Sequence, residues 1–292
     1  MQKLVINVFD KFGDDEESRL GIVRDAGFNG FFSAWGGKSD TLKLAAVADK
    51  MGLDFQSVHA PFNHIRDLWG DNEDAASAAL SEQLSCLEDC RRAGVGLMVC
   101  HAFIGFKDHT PTDVGLCRFA ALADAAEKAG VKLALENTEG IEYLEALMDY
   151  FAGNPNVGFC WDSGHEMCYN HSRDMLAAFG DRLLGTHLND NLGIRNLNGE
   201  ITWLDDLHLL PFDGIADWRY NCERLRACGF DGPLTFELNI GSKPGRHEND
   251  AYGLMAPEIY LAECYKRACR VRALLPRPSC AGNDKKLPTG RC

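Results

Sequence analysis

Six short β-rich runs of this chain end on a histidine or a carboxylate: His59, His101, Glu136, Asp162, His187 and Glu237. These side chains can do two kinds of chemistry. They hold divalent cations, and they take or give protons. A single such ending is ordinary, since a lone Asp before a helix is usually its N-cap. Six together need a common cause, because a buried carboxylate is costly unless a cation or hydrogen bonds compensate it. The stretch "GFCWDSGHEMCY" (158–169) poses the problem in miniature. An apolar run stops at Asp162, and His165 follows three residues later. Asp162 reads as a metal ligand, and His165 as a residue of the following loop that faces the same mouth.

Such residues converge only if the elements carrying them do. Strand-like runs occur at 3–9, 30–35, 54–60, 96–103, 132–137, 157–162, 183–190 and 233–239, rich in Val, Ile, Leu, Phe and Thr. Helical stretches alternate with them. "SDTLKLAAVADKMG" is expected to start on a Ser cap, and several stretches stop on a Gly: Gly27, Gly52, Gly94 and Gly130. Eight strand–helix units close a (β/α)8 TIM barrel, an α/β fold of a single domain over residues 1–275. An open doubly wound sheet would carry a Gly-rich phosphate loop after an early strand, and no G-x-G-x-x-G is present. In a barrel the C-terminal strand ends share one face, and that face carries the site. Residues 191–212 form a long insert after the seventh strand, a candidate lid. The Pro-, Gly- and Lys-rich stretch 276–292 reads as a flexible C-terminal tail.

Composition narrows the function classes. With 46% hydrophobic and 25% charged residues among 292, a globular core is expected. No run approaches a membrane span. "MQKLVINVFD" reads as a first strand and not as a leader. The net charge of −13 argues against nucleic acid as a partner. The 12 cysteines are scattered without a C-x-x-C pair, which fits reduced thiols in a cytoplasmic protein.

Glu136, Asp162, His187 and Glu237 make a ligand set of three carboxylates and one imidazole. An oxygen-rich set favours Mn²⁺, then Mg²⁺ or Co²⁺, with Zn²⁺ better served by more nitrogen and sulfur. Trp35, Trp69, Trp161 and Trp203 could stack on a sugar, but alternation turns Trp161 toward the helices. Phe62 and Phe103 are better wall candidates. Asn137 and Asn189 are expected to orient loops, and Asp190 to cap or to bond a ligand imidazole.

The motifs "HAPF", "LALENTEG", "FCWDSGH", "THLNDN", "DDLHLLPFDGIADW" and "LTFELN" resemble the xylose isomerase-like TIM-barrel superfamily over roughly residues 4–275. That grouping includes sugar-phosphate isomerases and epimerases, ketose 3-epimerases, inosose dehydratases and endonuclease IV. Resemblance to the ketose 3-epimerases implies one metal on Glu136, Asp162, His187 and Glu237. It also implies that Glu136 and Glu237 exchange a proton on opposite faces of a carbon beside a carbonyl, through an enediolate. His165 would contact a substrate hydroxyl, with His59, His101 and His208 as further substrate contacts. Asp206 and Asp190 would be extra ligands or partners of ligands. The Arg that epimerases place after the seventh-strand His has no close counterpart, Arg195 lying farther along. Resemblance to endonuclease IV implies three zinc ions on nine residues: His59, His101, Glu136, Asp162, His165, His187, Asp206, His208 and Glu237. Against it, "DSGH" lacks that family's Thr-Cys, and Phe212 stands where its relatives often carry Gly. The leading expectation is a divalent-metal sugar isomerase or epimerase. An inosose- or polyol-type dehydratase and a trinuclear zinc phosphodiesterase are the alternatives. The expected partners are a small sugar or sugar phosphate and, at most, further copies of the chain as a homo-oligomer.

Overall fold

The β-branched and aromatic runs become eight strands: β1 (Leu4–Asn7), β2 (Gly30–Ala34), β3 (Asp54–His59), β4 (Leu97–His101), β5 (Lys132–Glu136), β6 (Val157–Asp162), β7 (Leu183–His187) and β8 (Leu234–Phe236). The computed structural model describes residues 1–36, 40–107 and 109–275, and the tail expected at 276–292 lies outside the described residues. The strands pair in parallel in the order β7-β6-β5-β4-β3-β2-β1-β8. The ring closes where Leu188, just past β7, bridges Phe236. There the Leu188 N–H donates to the Thr235 carbonyl at 2.8 Å, and the Leu188 carbonyl accepts from Glu237 N–H at 3.2 Å. The chain is a (β/α)8 barrel, as its strand–helix alternation predicts.

Strand β8 is shorter than its sequence suggests. The Asn7 side-chain amide takes both backbone groups of Leu238, each at 3.1 Å, so a side chain replaces the last rung of the β1–β8 ladder. Glu237 therefore sits one residue past the strand, still at the barrel rim.

Helices α1 (Glu16–Ala26), α2 (Thr41–Met51), α3 (Glu73–Ala93), α4 (Asp113–Ala129) and α5 (Ile141–Tyr150) form the first crossovers. Gly27, Gly52, Gly94 and Gly130 stop the first four of them in the left-handed conformation. The cap of α2 is Asp40, which accepts from the Leu42 and Lys43 amides; the serine expected to cap it, Ser39, lies outside the described residues. Beyond β6 come two short helices, α6 (Ser163–Cys168) and α7 (Met175–Phe179). His165 thus lies on a helix where a loop was expected. After β7 come α8 (Trp218–Ala227), α9 (Asp250–Gly253) and α10 (Pro257–Leu274).

Strand alternation splits the core. Leu133, Leu135, Phe159 and Trp161 join the large cluster between barrel and helices. Leu97, Val99, Ala134 and Cys160 form a separate small cluster inside the barrel. His101, Glu136 and Asp162 follow Val99, Ala134 and Cys160 by two residues, so they point inward one layer above this plug.

The insert after β7 is only partly a lid. Asp190 and Leu209 pair antiparallel, with N–H to carbonyl distances of 2.8 and 2.9 Å. Leu207, Leu209 and Leu210 are buried. The second half of the insert is therefore part of the barrel's top layer, and it carries Asp206 and His208. The ten cysteines among the described residues are free thiols. No described helix is long and apolar enough to cross a membrane.

Behind β6, the buried Trp161 indole donates to Glu166 at 2.9 Å, and the Arg224 guanidinium lies 5.1 Å from its ring centroid. Arg224 also forks to Glu166 at 2.7 Å and Asp174 at 2.8 Å, joining α6, α7 and α8. Arg224→Met leaves the buried Glu166 carboxylate without its counter-charge, only the Trp161 and Met175 N–H groups still donating to it, which is expected to cost about 3 kcal/mol of stability. Urea unfolding of the full chain checks this, and an unchanged midpoint refutes it.

Candidate metal centre at the mouth of the barrel

Nine histidines and carboxylates meet above the inner plug, in three groups whose ligand atoms lie within 4.8 Å of one another. The central group is Glu136, Asp162, His187 and Glu237. On one side lie His59 and His101 with the same Glu136, and on the other His165, Asp206 and His208.

Glu136 is wholly buried and touches three imidazoles. Its Oε1 is 2.7 Å from His187 Nδ1, and its Oε2 lies 3.2 Å from His59 Nε2 and 3.4 Å from His101 Nε2. Glu237, 21% exposed, reaches the same His187 Nδ1 at 3.2 Å. One ring nitrogen thus sits between two carboxylates. The Phe32 ring, 4.7 Å away and nearly parallel, fixes the plane of His187 from below, and Phe62 stacks on His101 in the same way.

Asp162 is the N-cap of α6 and also stands in the central group. Its Oδ1 caps α6 by accepting the His165 N–H at 2.6 Å, and its Oδ2 accepts from the Asn189 amide at 2.8 Å. Asn137 brackets its backbone, accepting from the Asp162 N–H and donating to its carbonyl. Asn189 fits there because residue 164 is glycine. A Cβ on Gly164 would stand 1.9 Å from Asn189 Oδ1. Ser163 completes the lock, its hydroxyl donating to the Asn189 carbonyl and accepting from its N–H.

The outer imidazoles are aimed by backbone carbonyls. His59 Nδ1 meets Ala60 O at 2.8 Å, His165 Nδ1 meets Asn137 O at 3.0 Å, and His208 Nδ1 meets Glu237 O at 3.1 Å. Each contact leaves Nε2 to face a carboxylate, the usual support of a ligating histidine. His208 reaches Asp206 Oδ1 at 2.8 Å and His165 reaches it at 3.4 Å.

The donor set fits a divalent cation. Three carboxylates and one imidazole cannot share a dry space as anions without compensating charge. Burial pushes the Asp162 carboxyl up to about 6, against the pull of His165 and His208. Burial opposes ionisation of Glu136 and Glu237 as well. His187 and its neighbours nonetheless hold Glu136 well below the usual range, and His187 and His208 hold Glu237 down to about 2. Burial disfavours a charged His187, yet Glu136 and Glu237 raise it well above its ordinary value. Burial likewise disfavours a charged His208, which Asp206 and Glu237 raise to about 9. Protons therefore stand in for the cation. His187 Nε2 and His101 Nδ1 are buried without a hydrogen-bond partner.

Some expected residues sit elsewhere. Asp190 does not orient an imidazole. Its carboxylate accepts from the Phe212 and Ala216 amides and from the Trp218 indole, pinning the loop that leads into α8. Phe103 stacks on Tyr143, 4.0 Å away, in a neighbouring cavity shared with Trp69. Asn189 does more than shape a loop, since it holds Asp162. Lys243 was missed. Its ammonium is 3.1 Å from Asp206 Oδ2 and 5.5 Å from the Trp203 ring centroid. Nothing in "GSKPGR" flags it, because it comes from a loop without periodicity.

A family profile described as xylose isomerase-like TIM barrel matches residues 20–255. An uncharacterised protein of Sinorhizobium fredii, y4fM, is 40% identical over 82 residues, which are 28% of this chain and 23% of that protein. The chain therefore matches less than a quarter of that relative's length. A fusion of a xylose isomerase-like TIM barrel with a 4-hydroxyphenylpyruvate dioxygenase superposes with TM-score 0.71 at 17% identity, covering 94% of this chain and 43% of the fusion. A D-psicose 3-epimerase with D-tagatose, from Clostridium cellulolyticum H10, gives 0.67 at 17% identity, over 94% and 99% of the two chains. An IolI protein with a bound zinc atom gives 0.70 at 19%, over 94% and 98%.

Two outcomes follow from the geometry. Gly164→Ala pushes the Asn189 amide off Asp162 and is expected to weaken divalent-metal affinity by about 10–100-fold, read by calorimetric titration. Unchanged affinity removes Asn189 from the site's support. The second outcome concerns pH. Asp162 and His208 both hold protons more tightly in the folded, metal-free protein than in the unfolded chain. Stability from Asp162 is lost as pH rises from 3.8 through about 6, and from His208 as it rises from 6.5 through about 9. Chelator-treated protein should therefore melt at lower temperature at pH 9 than at pH 6, and added divalent ion should stabilise it more at the higher pH.

Proposed function

The chain belongs to the xylose isomerase-like TIM-barrel family, and from that premise we propose that it is a divalent-metal-dependent isomerase or epimerase of a small sugar or sugar phosphate. The observation that carries this reading is the central group, three carboxylates and one imidazole with ligand atoms within 4.8 Å at the strand ends. Glu136, Asp162, His187 and Glu237 would hold a divalent ion, Mn²⁺ first among the candidates, which would supply positive charge beside a substrate carbonyl.

The chain's own residues supply the proton transfers. Glu136 and Glu237 come from different strands and flank His187. Both are ionised at neutral pH, so both can accept a proton from the carbon beside the carbonyl. Two bases on two faces permit inversion, whereas one base returns the proton to the face it left. Their settings differ. Glu237 is partly exposed to the mouth, while Glu136 lies deeper under three imidazoles. His165 and His208 would contact substrate hydroxyls, and half-exposed Trp203 offers a stacking face. The free thiols among the described residues suit a reducing compartment such as the cytoplasm.

One observation favours a second reading. Two of the three groups share Glu136, and together the three contain the nine residue types of an endonuclease IV-like trinuclear zinc site. That arrangement would activate water for phosphodiester hydrolysis. Against it stand the net charge of −13 and the space beside Gly164, which is filled by Asn189.

Metal-loaded Glu136→Gln and Glu237→Gln should each slow epimerisation by about 10²–10⁴-fold. The two variants should differ in which epimer still exchanges its proton with deuterated solvent. Near-native turnover by both variants, on a ketose accepted by the parent, would refute the two-carboxylate mechanism.

A further inference from the structure

The outer group of His165, Asp206 and His208 already has a positive charge against it. Both Asp206 oxygens face cationic or imidazole nitrogens: Oδ1 lies 2.8 Å from His208 Nε2 and 3.4 Å from His165 Nε2 without an aligned hydrogen bond, and Oδ2 accepts from the Lys243 ammonium at 3.1 Å. The contact is not a chance approach of a surface lysine. Lys243 is only 20% exposed and lies over the Trp203 ring. Its loop is tied to the segment that carries Asp206. Arg246, three residues on, bonds the Leu204 carbonyl and the Asp205 carboxylate, each at 3.2 Å, and its own N–H donates to the Lys243 carbonyl at 2.9 Å. Trp203 and Asp206 thus contact Lys243 directly, and Asp205 holds its loop through Arg246.

The composition of the groups makes this ammonium decisive. The central group has three carboxylates and attracts a divalent ion strongly, whereas the outer group has one carboxylate for two imidazoles. A lysine on that single carboxylate cancels its charge. A metal ion on Asp206 Oδ1 would then face a like charge across one carboxylate, in a site with little water to screen it. We propose that Lys243 is the resident cation of the His165–Asp206–His208 group and keeps metal ions out of it. The inference deepens the isomerase reading and rests on it, because it leaves the mouth short of a three-ion site.

The test counts zinc per chain, by elemental analysis after saturation and desalting, in four full-length proteins: the parent, Lys243→Met, Lys243→Arg and His208→Ala. Methionine keeps the stem over Trp203 and removes the charge, and arginine keeps the charge. Lys243→Met should hold about one more zinc ion than the parent, while Lys243→Arg and His208→Ala should hold the parent's number. A parent that loses an ion on His208→Ala already has metal in the group and overturns the proposal. So does a Lys243→Met protein that gains none. Failure of the isomerase reading shows separately, as a metal-loaded parent that exchanges no ketose proton while these counts stand.

Discussion

Everything at the mouth depends on one buried carboxylate. Glu136 has no exposed surface, so water cannot share the cost of its charge. The compensation comes from three imidazoles on three other strands, β3, β4 and β7, which lie on both sides of β5 in the barrel order. None of them is near Glu136 in sequence. The charge of one residue is tolerable only in a closed cylinder, and the fold is in this sense a condition of the site's electrostatics. The small inner plug serves the same end. Leu97, Val99, Ala134 and Cys160 fill the barrel beneath the ligands and keep that floor apolar.

The barrel and the strand-end residues were legible in the sequence because both follow period-two alternation closed by glycine stops. A strand whose penultimate inward residue is small and whose last is His, Asp or Glu is visible without coordinates. What joins the ends to one another was less visible. Asp162 presented a choice between cap and ligand, yet a carboxylate has two oxygens, one for the His165 amide and one for Asn189. Asp190 looked like a partner for an imidazole because it follows an inward histidine by three residues. It turned instead to the loop before α8, where three donors and the space left by Gly214 receive it. Lys243 and Arg246 depend on how an irregular loop folds over the insert, and no local pattern records that.

The two functional readings share one set of coordinates because the family scaffold fixes where ligands can stand and leaves open how many positive charges occupy them. Glu136 could serve one ion or two. Asp206 could serve an ion or an ammonium. Side chains that never touch an ion, such as Asn189 against Gly164 and Lys243 against Asp206, then set the chemistry by filling or leaving space around the ligands.

The closure between β7 and β8 has a mechanical consequence. This seam is stitched by the single Leu188–Phe236 bridge and its few backbone hydrogen bonds, while the other seams carry longer registers. His187 and Glu237 lie on its two sides. An ion held by both would span the seam like a clasp on a hoop, and its binding energy would also be energy of circumferential closure. Stripped of the ion, the cylinder should breathe at this one place first, and its amide protons there should be the earliest to trade with solvent.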